Sequence, residues 1–191
     1  LIVSRLPALI HCIIMSEILN SHIVAQLAQE NKDRSIPEVI SILLRDYPDT
    51  VTFSTSFSYE DQVITDLIHQ HQLPVSIFTL DTGRLFPETY STWSRTLEFY
   101  QKSIKAYYPD AIEISQYVEA NGPNAFYDSV ELRSACCHIR KVVPLKKALK
   151  GQSVWITGLR AEHSPARKDL TALEWDEVNQ IIKYHPLLSW S

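Results

Sequence analysis

Two adjacent cysteines, Cys136 and Cys137, stand in the stretch "LRSACCHIRKVVPL". A disulfide between neighbours would close a strained ring. Neighbouring side chains on a helix diverge by about 100°, so one small metal ion would be strained by both thiolates, and zinc motifs space paired ligands by two to four residues. A cubane iron–sulfur cluster offers several irons and takes four thiolates. The alternative is that both cysteines pack as small apolar side chains.

Basic residues follow the cysteine pair directly, at Arg140 and Lys141. Cations stabilise nearby thiolates and can tune a cluster, which favours the metal interpretation over simple packing. The third cysteine, Cys12, lies in an apolar stretch ahead of the only methionine, Met15. We interpret residues 1–14 as an N-terminal extension, assign Cys12 no function and place a single domain in residues 15–191.

Hydroxyl and guanidinium groups form a second set of candidates. "STSFSYED" places Ser54 and Ser56 before a predicted helix, where hydroxyls and free N–H groups can hold an anion, although serine also serves in turns and caps. "TGLRAEHSPAR" contains Arg160 and Arg167, and the arginine fork suits phosphate or sulfate oxygens. The chain has only 4 glycines, and neither G-x-G-x-x-G nor a Walker A loop can be written from them.

Strands and helices alternate along the chain, which predicts an α/β fold with an open, mostly parallel sheet and helices on both faces. Such sheets bind ligands beyond the carboxyl ends of their strands. The predicted strands are 51–56, 74–81, 111–115 ("AIEIS"), 153–160 and one within 181–190. The loops expected to carry the site are 55–61, 81–87, 115–124 and 158–168.

Helical spacing predicts the remaining elements. Residues 16–30 form one predicted helix, and Ser35 with Glu38 forms a capping box that starts a second. A long helix is predicted from the "FPET" turn through Tyr90 to Ile104. The segment containing the cysteine pair is predicted to be helical, with Pro144 as a kink or a junction between two helices.

Composition sets limits on the class of protein. The chain has 191 residues, 45% of them hydrophobic, and a net charge of −4, as in a soluble globular domain. No long basic run points to nucleic acid or an anionic membrane surface, and no apolar run approaches the ~20 residues of a membrane span. The 3 cysteines do not form a disulfide framework, which predicts reduced thiols and a cytoplasmic location.

Several stretches in order resemble the assimilatory adenylyl-sulfate/phosphoadenylyl-sulfate reductase family. They are "STSFSYEDQV", "TLDTGRLFPETY", "CCHIRKVVPL", "WITGLRAEHSPAR" and "KYHPLLSW". The resemblance implies an adenine nucleotide α-hydrolase-like fold. It also implies a reaction in which a cysteine attacks the sulfur of adenylyl sulfate, AMP leaves, and thioredoxin or a similar dithiol releases sulfite. The tandem cysteines imply the branch of the family that carries a [4Fe–4S] cluster and prefers adenylyl sulfate.

The resemblance also implies residue roles. Cys136 and Cys137 correspond to two of the four cluster ligands, and Lys141 to a cation that links cluster and substrate. The adenosine pocket and the ribose and phosphosulfate contacts correspond to Ser54, Ser56, Leu80, Gly158, Arg160 and Arg167. Ser58 stands where the family has glycine, and His163 where glutamine is common.

The family pattern continues past the last residue of this chain, Ser191, into a segment with a Cys-x-x-Cys pair and a nucleophilic cysteine. We therefore assign no catalytic residue within the chain and expect the nucleophile beyond Ser191. The chain is expected to lack a C-terminal segment and, by itself, to be inactive. Three alternatives remain: a phosphoadenylyl-sulfate reductase, a non-catalytic nucleotide-binding remnant, and an ATP-using ligase, which the missing Ser-Gly-Gly-x-Asp-Ser motif disfavours. The sequence leaves homo-oligomerisation open.

Overall fold

A computed structural model describes residues 8–163 and 170–190. Its centre is a 6-stranded sheet. The strands are β1 (Val51–Ser54), β2 (Ser76–Leu80), β3 (Lys105–Tyr107), β4 (Val154–Ile156), β5 (Leu173–Asp176) and β6 (Ile181–Tyr184). Their order is β3-β2-β1-β4-β6-β5. All neighbours pair in parallel except β5, which runs antiparallel to β6 at one edge.

Helices cover both faces of this sheet. They are α1 (Ala8–Asn31), α2 (Ile36–Asp46), α3 (Tyr59–Gln70), α4 (Pro87–Tyr100), α5 (Ala111–Asn121), α6 (Val130–Cys137) and α7 (Val143–Leu149). Residues of α1 to α4 pack with one set of strand residues around Phe53, whereas α7 packs on the opposite face around Phe78. The predicted open, mostly parallel α/β sheet is therefore confirmed. No helix within the described residues is long and apolar enough to cross a membrane.

The capping box at Ser35 begins α2 as predicted, whereas α1 begins at Ala8 rather than at the predicted residue 16. The Glu38 carboxylate accepts hydrogen bonds from the backbone N–H of Ser35 (2.8 Å) and from its hydroxyl (2.6 Å). The helical segment after residue 130 is continuous through a π-helical turn, His138–Val142, with Pro144 in the first turn of α7. Proline has no N–H to donate along the helix, and the π-helical turn lies directly before α7.

The prediction of strand 111–115 was wrong. These residues open α5, where the Asp110 carboxylate accepts from the N–H groups of Ile112 and Glu113. The alternation of Ile112 and Ile114 imitates a strand, but a capped helix start stabilises the other conformation. The loop expected at 115–124 consequently does not follow a strand, since most of it lies inside α5.

The third strand is instead β3, and the long helix ends before it. Gln101 adopts a left-handed conformation (φ 52°) that terminates α4, so Ile104 lies outside the helix and is buried. Glycine usually marks such an end. Because no glycine stands at position 101, the sequence did not reveal where α4 ends. The prediction also missed β5.

Alternation along the strands brings distant residues onto the face that α7 covers. Trp155 pairs in register with Thr52 of β1 on one side and with Lys183 of β6 on the other. Because side chains alternate along a strand, Ser54 projects from the same face as Thr52. Ser54, Trp155 and Lys183 therefore share one face near the carboxyl ends of three adjacent strands.

Candidate functional site: a cleft at the carboxyl ends of the strands

A cleft of about 580 Å³ opens where β1, β2, β4 and β6 end. Most of the predicted substrate-binding residues line it, namely Ser54, Ser56, Leu80, Lys141 and Gly158. They come from distant parts of the chain and meet because parallel strands end at one edge of the sheet. Lys141 reaches the cleft from the π-helical turn after the cysteine pair.

A carboxylate of the protein, that of Asp61, occupies the first turn of α3. Asp61 is only 5% exposed, and its Oδ2 accepts from both the backbone N–H and the hydroxyl of Ser56, each at 2.6 Å. Burial raises the pKa of Asp61, against the effect of the Ser56 hydrogen bonds. The Ser56 donors that were expected to hold a ligand are thus already engaged by the Asp61 carboxylate.

Gly158 permits this close arrangement. A methyl group at Gly158 would overlap the Asp61 carboxylate and would lie 3.3 Å from the Cβ of Glu60. The backbone after β4 therefore approaches α3 more closely than any residue with a side chain allows. Gly158 therefore has two roles in the structure: it allows the close approach to Asp61, and it forms part of the cleft wall.

The first of the two predicted arginines, Arg160, is not among the described residues that line the cleft. Arg160 Nη2 forms an ion pair with Glu60 Oε1 at 3.0 Å, and Nη1 lies 3.9 Å from Glu162. Glu60 lines the cleft, so Arg160 stands behind this wall residue. Arg167 lies outside the described residues.

The nucleophilic cysteine was predicted beyond Ser191, and Ser191 itself lies outside the described residues. The cleft is lined by serines, threonines and a lysine, and no cysteine lines it within residues 8–163 and 170–190. Neither Cys136 nor Cys137 is among the residues that line the cleft. Its location beyond Ser191 stays a prediction from the family resemblance.

Sequence reasoning missed Trp155 and Lys183, which both line the cleft. The indole N–H of Trp155 donates to Ser54 Oγ at 2.8 Å. Lys183 Nζ lies 5.1 Å from the centroid of the Trp155 ring and 2.9 Å from Asp176 Oδ2. Only the parallel register of β1, β4 and β6 brings these residues together, so no local motif signals the set.

A buried histidine supports the same corner of the sheet. His185 is fully buried; its Nδ1 lies 2.6 Å from Thr157 Oγ1 and its Nε2 lies 3.3 Å from Glu174 Oε1. Thr157 lines the cleft. This histidine was not singled out from the sequence, and its contacts tie the cleft wall to the β5–β6 hairpin.

The two cysteines end α6 as free thiols in different environments. Cys136 is buried beside Tyr117 and Ala125, whereas Cys137 is exposed.

Arg140 joins this helical segment to the loop after β2. It follows the cysteines within the π-helical turn and donates from Nη1 to the carbonyl of Thr82 at 2.6 Å. Gly83 adopts φ +68°, as its turn required, with the Arg140 guanidinium beside it. The cysteine helix is thereby joined to the loop after β2, where Thr82 and Leu85 line the cleft.

The donors present suit part of an iron–sulfur cluster. Two adjacent thiolates can bind separate irons, and the buried Nε of Arg140 has no hydrogen-bond partner among the described residues. However, no group of three or more potential ligands occurs within residues 8–163 and 170–190. The pair Cys136 and Cys137 would supply two of the four thiolates that a [4Fe–4S] cluster needs.

A parallel sheet with a hydroxyl-rich cleft at its carboxyl edge defines an α/β nucleotide-binding protein. Residues 50–191 match the phosphoadenosine phosphosulfate reductase domain, and the chain belongs to that family.

Curated relatives agree with this assignment. The chain is 47% identical over 154 residues to adenosine 5'-phosphosulfate reductase of Allochromatium vinosum, covering 81% of this chain and 60% of the relative. It is 44% identical over 143 residues to the protein of the same name from Burkholderia cepacia, covering 75% and 57%. The chain thus spans about 60% of the length of the first of these relatives.

A solved structure shares the fold. The phosphoadenylyl-sulfate reductase of Candida auris, crystallised as a phosphate complex, superimposes with a TM-score of 0.74 at 26% identity. The match covers 88% of this chain and 79% of that one.

Proposed function

We propose that the protein containing this chain reduces adenylyl sulfate to sulfite and AMP in sulfate assimilation. One observation carries the proposal: distant residues Ser54, Leu80 and Gly158 line a single cleft with Lys141, which the cysteine helix supplies. The family match and the names of the bacterial relatives support the same reaction.

The cleft would bind the nucleotide through unlike groups. Ser54, Leu80 and Gly158 are proposed to contact adenosine, and Lys141 the anionic phosphosulfate. Ser56 would join them when Asp61 releases its donors. Arg160 would have to exchange Glu60 for a ligand oxygen, and Arg167 is retained as a proposed contact from the sequence alone.

Cys136 and Cys137 are proposed to provide two ligands of a [4Fe–4S] cluster, with the others from outside the described residues. The cluster, when bound, would supply a compact charged group beside Lys141 and Arg140. Arg140 would hold the loop after β2 through the Thr82 carbonyl, and its buried Nε would retain a donor for that group.

The proposed reaction has two steps. A cysteine thiolate, expected beyond Ser191, forms a bond to the sulfur of adenylyl sulfate, the S–O bond to phosphate breaks, and AMP leaves. A dithiol such as thioredoxin then attacks the cysteine sulfur, sulfite leaves with the bonding electrons, and the dithiol becomes a disulfide after the second exchange. This reduction requires a reducing compartment, so the cytoplasm is the proposed location.

A second candidate substrate is the 3′-phosphorylated nucleotide. The structural relative from Candida auris is a phosphoadenylyl-sulfate reductase, and its fold matches this one. Direct competition between the two nucleotides for the intact protein would distinguish them. We expect adenylyl sulfate to compete more strongly, because the tandem cysteines favour that branch of the family.

The test uses the intact protein and the 191-residue chain in parallel. The intact protein should release sulfite from adenylyl sulfate with thioredoxin and should contain iron, and replacing Cys136 and Cys137 by serine should remove the iron. The 191-residue chain should bind AMP without turnover, and sulfite release by it would refute the placement of the nucleophile beyond Ser191. An intact protein that is colourless, iron-free and indifferent to adenylyl sulfate would refute the proposal, whereas AMP binding without reductase activity would indicate a nucleotide-binding remnant.

A further inference from the structure

We propose that Trp155 is a positioning residue that directs the hydroxyl proton of Ser54 at an unprotonated ring nitrogen of the bound purine. The proposal rests on the proposed function, since it assumes an adenine nucleotide in the cleft. The proposal explains selectivity for the purine base through Trp155, which acts on Ser54 and does not itself need to contact the base.

The first step concerns hydrogen-bond direction. An indole N–H can only donate, so the 2.8 Å contact from Trp155 occupies one lone pair of Ser54 Oγ and cannot receive the hydroxyl proton. Among the described residues, no acceptor takes that proton. The hydroxyl of Ser56, by comparison, already donates to Asp61. Ser54 therefore faces the cleft with a donor that is available to a ligand.

The second step concerns what holds the indole in place. Trp155 and Lys183 are register partners on adjacent strands, and the ammonium lies 5.1 Å from the ring centroid. Asp176 fixes that ammonium at 2.9 Å. A cation over an aromatic face is attracted by its quadrupole, so the indole has a defined orientation before any ligand arrives.

The third step concerns the chemistry of the acceptor. Ser54 belongs to β1, which lies between β4 with Trp155 and β2 with Leu80, and the apolar side chains of Trp155 and Leu80 line the cleft with it. Such surroundings suit a planar heteroaromatic ring better than a phosphate, whose charge would lose hydration there. The acceptor that fits is a ring nitrogen with a free lone pair.

The experiment measures affinity for AMP and for its 1-deaza, 3-deaza and 7-deaza analogues, each of which replaces one ring nitrogen by C–H. Isothermal titration of the 191-residue chain should show one analogue binding about 5- to 10-fold more weakly than AMP, as expected for one lost hydrogen bond. In Trp155→Phe this difference should shrink to about 2-fold or less, because nothing then orients the Ser54 hydroxyl. Ser54→Ala should abolish the same difference, which provides a second route if the tryptophan variant folds poorly.

Trp175→Phe is the matched control. It also removes an indole N–H, but that N–H has no hydrogen-bond partner among the described residues. It should keep the wild-type pattern across the four nucleotides. A Trp155→Phe protein that retains full discrimination, or a wild-type chain that binds AMP and all three analogues equally, would overturn the inference while leaving the proposed function intact. Failure of the wild-type chain to bind AMP would overturn both.

Discussion

Replacing Gly158 by alanine should disturb the cleft through one identifiable contact. The new methyl group would overlap Asp61 Oδ1 and approach Asp61 Cγ to 3.3 Å. Since Asp61 is buried, the carboxylate can only move by loosening its two hydrogen bonds from Ser56. The φ of Gly158 is not in the left-handed region, so backbone strain does not add to this cost.

The magnitude follows from two competing ways to relax. Keeping the carboxylate in place would cost about 1–3 kcal/mol in overpacking. Rotating it away would sacrifice hydrogen bonds to a charged acceptor, each worth about 1.5–3 kcal/mol, reduced here because burial raises the pKa of Asp61. We expect a loss of about 2–3 kcal/mol in the free energy of unfolding and weaker AMP binding, since Ser56 and Gly158 both line the cleft.

Urea unfolding of four proteins provides the assay: wild type, Gly158→Ala, Asp61→Ala and the double variant. If the carboxylate is the obstacle, Gly158→Ala should cost at most about 1 kcal/mol in the Asp61→Ala background, where only the Glu60 contact remains. An equal cost in both backgrounds would refute the steric argument. So would a cost below about 0.5 kcal/mol in the wild-type background.

Five further variants are compared with wild type by urea unfolding. Because burial raises the pKa of Asp61, its stabilising contribution is complete below the usual value of 3.8 and is lost as pH rises; Asp61→Asn should therefore lose less stability than wild type between about pH 4 and pH 7. Arg84→Ala removes hydrogen bonds of 2.9 Å to Pro123 and Asn124 and should cost about 1 kcal/mol or less, with Arg84→Lys restoring little. In the metal-free chain, Cys136→Ala should cost about 1 kcal/mol and the exposed Cys137→Ala less than about 0.5 kcal/mol; equal losses would contradict the assigned burial.

Helix starts were predictable where the stabilising groups are neighbours in sequence. Ser35 and Glu38 hydrogen-bond across three positions, so their identities alone defined the start of α2. The same logic was not applied at 111–115, where the alternation of Ile112 and Ile114 was interpreted as a strand although Asp110 caps a helix. It failed at Gln101, which ends α4 in a left-handed conformation without glycine.

The cleft residues were predictable as a set, but their partners were not. The family resemblance named Ser54, Leu80 and Gly158, and the rule for parallel sheets indicated that residues at strand ends would meet. That Asp61 already engages Ser56 depends on how closely α3 approaches the backbone after β4. The roles of the cysteine pair and of the arginines remain predictions, as does a nucleophile beyond Ser191.

The amino-acid sequence by itself determined the alternation of helices and strands, the capping of α2 and the candidate residues, because these depend on groups a few positions apart. Tertiary structure alone decided that Trp155 lies between Ser54 and Lys183, and that Arg140 reaches the loop after β2. Those contacts join residues far apart in the chain. They exist only once strand order and register are set by the packing of the whole sheet.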